Sequence, residues 1–347
     1  MTTDNSMTYL LFVLVCLMLL TAPFVPALRE WLKPTDIAAL RVLPDYSNDI
    51  DHFARRLHAD AQARLGTGPS TGFEEFSIVT APSTQPDWAG STGRLLVKFD
   101  IDVAHPINCI QPLYVQGSIR AGADSAFTAL YATGDIDLGP RSMLKDWAHA
   151  DGTLRINGYG AALRRISAGH AIELGHETWF ERLQAPSLRF GHLTHHNTAL
   201  EPPPRIAASL ADLPNVIVQA PDVYMVRGDC NLPAGRSYVG SLIVTGFLVI
   251  GKGSALSGSI KAREGVSIGT GCEILGAITC DTRIYVFARA TVMGPIVSES
   301  DILIGADAQI GSISAPTTVT AENIIIETGV EVHGAVWAHD IGMVKAP

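Results

Sequence analysis

The sequence predicts an all-β fold: a triangular β-solenoid (β-helix) in two repeat blocks, headed by an N-terminal transmembrane helix. Three observations predict it. The last third of the chain repeats every 18 residues. Within each repeat, apolar residues fall in short alternating runs, which is the strand signal. Ahead of the repeats, Met7–Leu28 is 22 residues long without a formal charge.

The N-terminal stretch is dense in Leu, Val, Phe and Met, and its length suits a bilayer core of about 30 Å. Pro23 and Pro26 end or kink the helix, and Trp31 suits the headgroup level. A cleaved signal peptide is the rival reading, but it calls for a basic leading segment, and Asp4 is the only charged side chain before the apolar run. Arg29 and Lys33 follow the run, so the positive-inside bias places the bulk of the chain on the cytoplasmic face of a bacterial inner membrane. Residues 1–33 are therefore expected to be a membrane anchor, with residues 7–28 the membrane partner.

Residues 34–112 read as a helix plus an extended region. Asn48–Leu65 is one amphipathic helix with Ile50, Phe53, Leu57 and Ala61 on a shared face and Gly66 as its stop. Arg55, Arg56 and Arg64 form a solvated face rather than a lipid contact. Leu95–Val103 is a strand candidate.

Residues 113–191 form a degenerate first solenoid block. Ile136-Asp137-Leu138-Gly139, Leu154-Arg155-Ile156, Ile172-Glu173-Leu174-Gly175 and Leu188-Arg189-Phe190-Gly191 recur at separations of 18, 18 and 16, and Ile119 precedes them by 17. Residues 192–221 are a Pro-rich linker, since Pro202-Pro203-Pro204 cannot join a strand ladder.

Residues 222–347 carry the clearest repeats, with copies beginning at Asp229, Phe247, Gly265, Arg283, Asp301 and Asn323. Their second positions are Cys230, Leu248, Val266, Ile284, Ile302 and Ile324; their tenth are Tyr238, Leu256, Ile274, Val292, Ile310 and Val332. The fifth copy has 22 residues, the extra ones near Ser314–Thr317. Small residues recur at position 8 (Ser254, Cys272, Ala290, Ala308) and at position 16 (Ala262, Cys280, Ser298, Ala338). Like stacks on like, which fills a narrow core. Glycines near the corners, Gly258, Gly276 and Gly294 among them, are expected where the chain bends.

Chemistry is sparse. A net charge of −9 and a pI near 5.6 argue against a nucleic-acid partner. Five cysteines form no CxxC pair; Cys230, Cys272 and Cys280 take inward slots, and a buried thiol behaves as a small hydrophobe. His149, His170, His176, His333 and His339 are candidate bases, none beside an obvious orienting carboxylate. His192, His195 and His196 invite a metal but have no Cys or Asp near them. No catalytic, cofactor-binding or metal residue is assigned, no cofactor is expected, and the chain reads as a non-enzyme.

The unit Phe247-Leu248-Val249-Ile250-Gly251-Lys252-Gly253-Ser254-Ala255-Leu256-Ser257-Gly258-Ser259-Ile260 and its sisters resemble the bactofilins, bacterial polymer-forming cytoskeletal proteins. The resemblance covers about residues 222–340, with a weaker echo at 113–191. It implies a right-handed triangular β-helix that self-assembles end to end without nucleotide and serves as a scaffold for envelope enzymes. Edge physics points the same way, because a bare solenoid tip templates further pairing, and Ile341–Pro347 is too short to cap one. The expected function is a membrane-anchored, self-assembling structural scaffold of the cytoskeleton or cell envelope. A hexapeptide-repeat acyltransferase and an exported structural solenoid are the alternatives.

Overall fold

The computed structural model describes residues 3–25, 49–66, 76–81, 87–191 and 204–346. It divides into two units, residues 1–48 and residues 49–347.

The first unit corrects the transmembrane expectation. Its helix runs Thr3–Thr21 and passes at once into a 3-10 turn, Ala22–Phe24, which contains Pro23. The Thr21 hydroxyl donates back to the Leu17 carbonyl, 2.8 Å away. Thr3–Ser6 is polar, so the apolar helical run is Met7–Thr21, ~22 Å at 1.5 Å per residue against a bilayer core of ~30 Å. Among the described residues no helix is long and apolar enough to cross a membrane. Pro26, Arg29, Trp31 and Lys33, on which the anchor reading also drew, lie outside the described residues.

In the second unit the 18-residue period becomes three parallel strands per coil. Cys230 stacks on Leu248, and the column continues through Val266, Ile284, Ile302 and Ile324. A second column runs Tyr238, Leu256, Ile274, Val292, Ile310, Val332. The small residues at positions 8 and 16 are buried between these columns, as the volume argument requires. The extra residues of the fifth copy form a loop closed by a bridge between Ser312 and Ala315.

The first block is built in the same way, with Ile119, Ile136, Leu154, Ile172 and Leu188 stacked in one column. It begins well before residue 113. Phe76–Val79 pairs with Arg94–Val97, which pairs with Leu113–Val115, so these early residues are its first coils. The second block likewise starts inside the expected linker: Ile206–Ala207 joins the strand at Arg236–Val239.

The two blocks meet head-on. The final coil of the first, Trp179–Phe190, pairs antiparallel with the final coil of the second, Glu331–Val344. All three faces take part: Phe180 opposes Gly342, Leu183 opposes Val336, and Leu188 opposes Val332. One apolar core runs through both blocks from Val79 to Val344. Its roughly 14 turns make a rod of ~67 Å at ~4.8 Å per rung. The expectation of a bare tip after the last repeat is corrected here, because the first block seals it.

A strap helix, His52–Arg64, lies along one face of the first block. Its alanine content favours the helix, and Gly66 at φ 79° ends it. Ile50, Ala54, Leu57 and Ala61 are the buried residues. Phe53, expected among them, is 45% exposed and sits beneath the Arg165 guanidinium, 5.1 Å from its ring centre. The strap covers Phe76, Leu96, Tyr114 and Tyr131, which point outward from successive rungs.

Candidate functional site

Three places combine unusual geometry with unusual chemistry: the seam, the outer tip of the second block and the face under the strap.

At the seam an alternating ladder of charge crosses from one block to the other. Along one face, successive rungs carry Asp102, Arg120, Asp137, Arg155, Glu173, Arg189 and then, beyond the junction, Glu331. Arg155 bridges Glu173 at 2.7 Å, Arg189 bridges Glu173 at 3.2 Å and Glu331 at 3.4 Å. Glu331 also accepts the Ser187 hydroxyl at 2.6 Å. These groups are partly solvated, so each pair contributes only about 0–1 kcal/mol. Their larger effect is on register, since a slip of one rung would set like charges opposite each other. Arg182 lies over the Trp337 indole at 4.7 Å, and His333 Nδ1 donates to the Pro186 carbonyl at 2.9 Å. A Glu331→Arg chain is expected to lose about 1 kcal/mol at low salt, with the loss shrinking as salt screens the new repulsion. Thermal midpoints at two ionic strengths would measure it.

At the outer tip Val216–Ala220 folds back antiparallel on Val223–Val226. Leu210 is buried there as a plug, with Ala208 and Leu213 packed on the same core. The tip is plugged inside and open at its rim: among the described residues no strand pairs with the outer edge of Val216–Ala220. Val218 on that edge is 62% exposed.

Under the strap, Tyr114, Tyr131, His149 and Ser167 occupy one outward column on consecutive rungs. The Tyr114 and Tyr131 rings stack at 5.1 Å, and Tyr131 and His149 at 5.2 Å. His149 Nδ1 lies 2.8 Å from the Ser167 hydroxyl, and Nε2 lies 3.3 Å from Asp151 Oδ1. That same oxygen accepts the Tyr131 hydroxyl at 2.6 Å. A neutral ring protonated at Nε2 satisfies both contacts: it donates to Asp151 and accepts from Ser167. Burial holds the His149 imidazole below its usual range, Asp151 opposes this, and His58 and Arg55 on the strap reinforce it. Burial also lifts Tyr131 well above the ordinary phenol range, and its bond to Asp151 adds to the lift.

Serine, histidine and aspartate thus stand in line, the arrangement that activates a nucleophile. The surroundings do not complete it. Ser167 is 5% exposed, and its strand is committed to ladders on both sides, which leaves no pair of amides to receive an oxyanion.

The other candidate histidines are dispersed. His170 is at an exposed corner, and His176 packs edge-on against Tyr159 at 5.1 Å. His333 is at the seam, and His339 stacks on Trp337 at 4.1 Å and meets the Thr320 hydroxyl at 3.2 Å. His192, His195 and His196 lie outside the described residues. Among the described residues no group of three His, Cys, Asp or Glu side chains is placed to hold a metal. Cys109, Cys230, Cys272 and Cys280 are buried, and burial pushes the Cys109 and Cys230 thiols up to about 11. Sequence reading missed Asp151, Ser167 and Tyr131. Their signal was the coil period itself: Tyr131, His149 and Ser167 are 18 apart.

These features define a β-solenoid rod with a sealed middle and one helix-covered face. Comparisons with protein-family models, with curated proteins and with solved structures found no match.

Proposed function

We propose that this chain is a non-catalytic structural scaffold that self-assembles tip to tip. The observation that carries this reading is the edge at Val216–Ala220: uncharged, half or more exposed along Val218, and without a strand partner on its outer side among the described residues. Such an edge templates pairing with another strand. A second copy offers an identical edge, and two of them pair antiparallel about a two-fold axis. The resemblance of the repeats to bactofilins supports the scaffold class and an association with bacterial cytoskeleton or envelope. The seam occupies the inner tip of each block, so the edge at Val216–Ala220 on the outer tip of the second block is the one this assembly uses.

Negative-stain microscopy and sedimentation of the full chain test the reading. Particles longer than one rod are expected, and Val218→Lys is expected to return them to single rods by placing a charge on the edge. Monodisperse single rods at high concentration would overturn it, as would a trimer that binds an acyl donor.

A further inference from the structure

We propose that the strap helix is an acid-released cover, held on the first block's aromatic column while His149 is neutral and let go when that ring gains a proton.

The geometry supplies the coupling. His149 packs on Tyr131, whose ring also carries His58 of the strap, and both its ring nitrogens are in use in the neutral state. A proton added at Nδ1 turns the acceptor of the Ser167 hydroxyl into a donor, so that bond must reverse. The same proton brings a cation into a buried setting. From the solenoid it faces Asp151, which attracts it, Tyr131, which is neutral, and the Ser167 hydroxyl on the neighbouring rung. From the strap it faces His58 and Arg55, with Asp51 near Arg55. His58 is itself packed on the column, 4.9 Å from the Tyr131 ring. Arg55 is itself paired with Asp49 and Asp51, so Asp151 is the carboxylate in direct contact with the ring, with His58 and Arg55 opposing the added charge.

The sign follows from linkage. In the closed state the His149 imidazole is held below its ordinary 6.5, chiefly by burial. Opening the strap takes His58 and Arg55 away from the ring and exposes the Tyr131 side of the column, so the open state binds the proton more tightly. The closed strap therefore has its full stability above pH ~6.5 and loses it as pH falls below that value. Asp51 works in the opposite direction, because burial raises its carboxyl. Its effect falls at lower pH, in the carboxylate range. Tyr114 and Tyr131 are raised by burial and titrate far above the window.

Release would uncover Phe76, Leu96, Tyr114 and Tyr131, an apolar strip along four rungs that is otherwise dry. Polar ties must break with it. They include Arg94 to Asp60 at 2.7 Å and Gln62 to the Tyr114 hydroxyl at 3.2 Å.

Amide hydrogen exchange on the full chain, expressed as protection relative to the free peptide at each pH, tests the proposal. Between pH ~7.5 and pH ~5, protection across residues 52–64 is expected to fall on the order of tenfold, while the coils at 248–304 hold theirs. In His149→Gln, which keeps a donor and an acceptor without a titrating ring, the strap's protection is expected to stay level. Unchanged protection in the native chain would overturn the proposal, and so would the same fall in His149→Gln. Should that variant fail to fold, the native chain still decides: the His149 ring resonance must titrate with the midpoint of strap opening, and separate midpoints would overturn it.

Discussion

Leu183→Asp is expected to part the rod at its middle. Leu183 is fully buried, stacked on Ile166 in its own block and on Val336 across the junction. An aspartate there would place a carboxylate among aliphatic side chains with no partner, at a cost of about 4 kcal/mol or more. Coils interact only with their neighbours, so the damage should stay local. Exchange protection is expected to collapse over residues 171–190 and 317–344 and to persist over residues 248–292. Heating should then reveal two transitions in place of one. A uniform loss along the whole rod would show that the damage is not local, and no loss at the junction would show that the seam does not hold the blocks together.

Gly276→Ala is expected to be a strongly damaging methyl addition in the second block. A Cβ at this position would overlap the Gly258 carbonyl and lie 2.6 Å from the Ser259 amide nitrogen, all backbone atoms of the preceding rung. Gly258 meets the Gly240 backbone in the same way, and Gly294 meets that of Gly276, so one corner carries a column of glycines. Backbone already committed to a ladder cannot step aside as a side chain can. The cost should be about 2–3 kcal/mol, in the range of overpacked cores. Gly271 is the control. It has open space around it and a φ of 66°, so its alanine variant meets only the left-handed backbone penalty of about 1 kcal/mol. Thermal midpoints of the two variants should therefore separate, with Gly276→Ala lower.

The same glycines show what a sequence can and cannot express. Their spacing revealed the corners, but the reason at Gly258, Gly276 and Gly294 is crowding by the adjacent rung, which only a stacked structure displays. The columns of the second block were legible because each coil repeats its aliphatic slots with little variation. The first coils of the first block were not. Ile101–Asp102 and Asn108–Cys109 are strands of two residues, too short to alternate. In Arg94–Val97 the alternation is lost because the strap buries Leu96 on the outer face while Leu95 and Val97 face the core. The strap was legible through Ile50, Leu57 and Ala61; Phe53 was misplaced because a cation on a neighbouring strand gives it an outside berth. The transmembrane reading failed by counting straight through Pro23, where the α-helix gives way to a 3-10 turn.

The seam left almost no trace in the sequence. Trp179–Phe190 and Glu331–Val344 read as ordinary coils, and nothing periodic announces that the two runs oppose each other. The cluster under the strap was half legible: His149 was noticed, but its carboxylate was sought alongside it and is found two residues on, where alternation returns Asp151 to the same face. Ser167 becomes visible only when the rungs are stacked.

The head-on junction also reverses strand direction partway along the rod. Each half winds inward from its own end, so a given strand face presents its backbone one way on the near half and reversed on the far half. A guest that reads backbone direction along such a face would therefore find its track reversed at the junction.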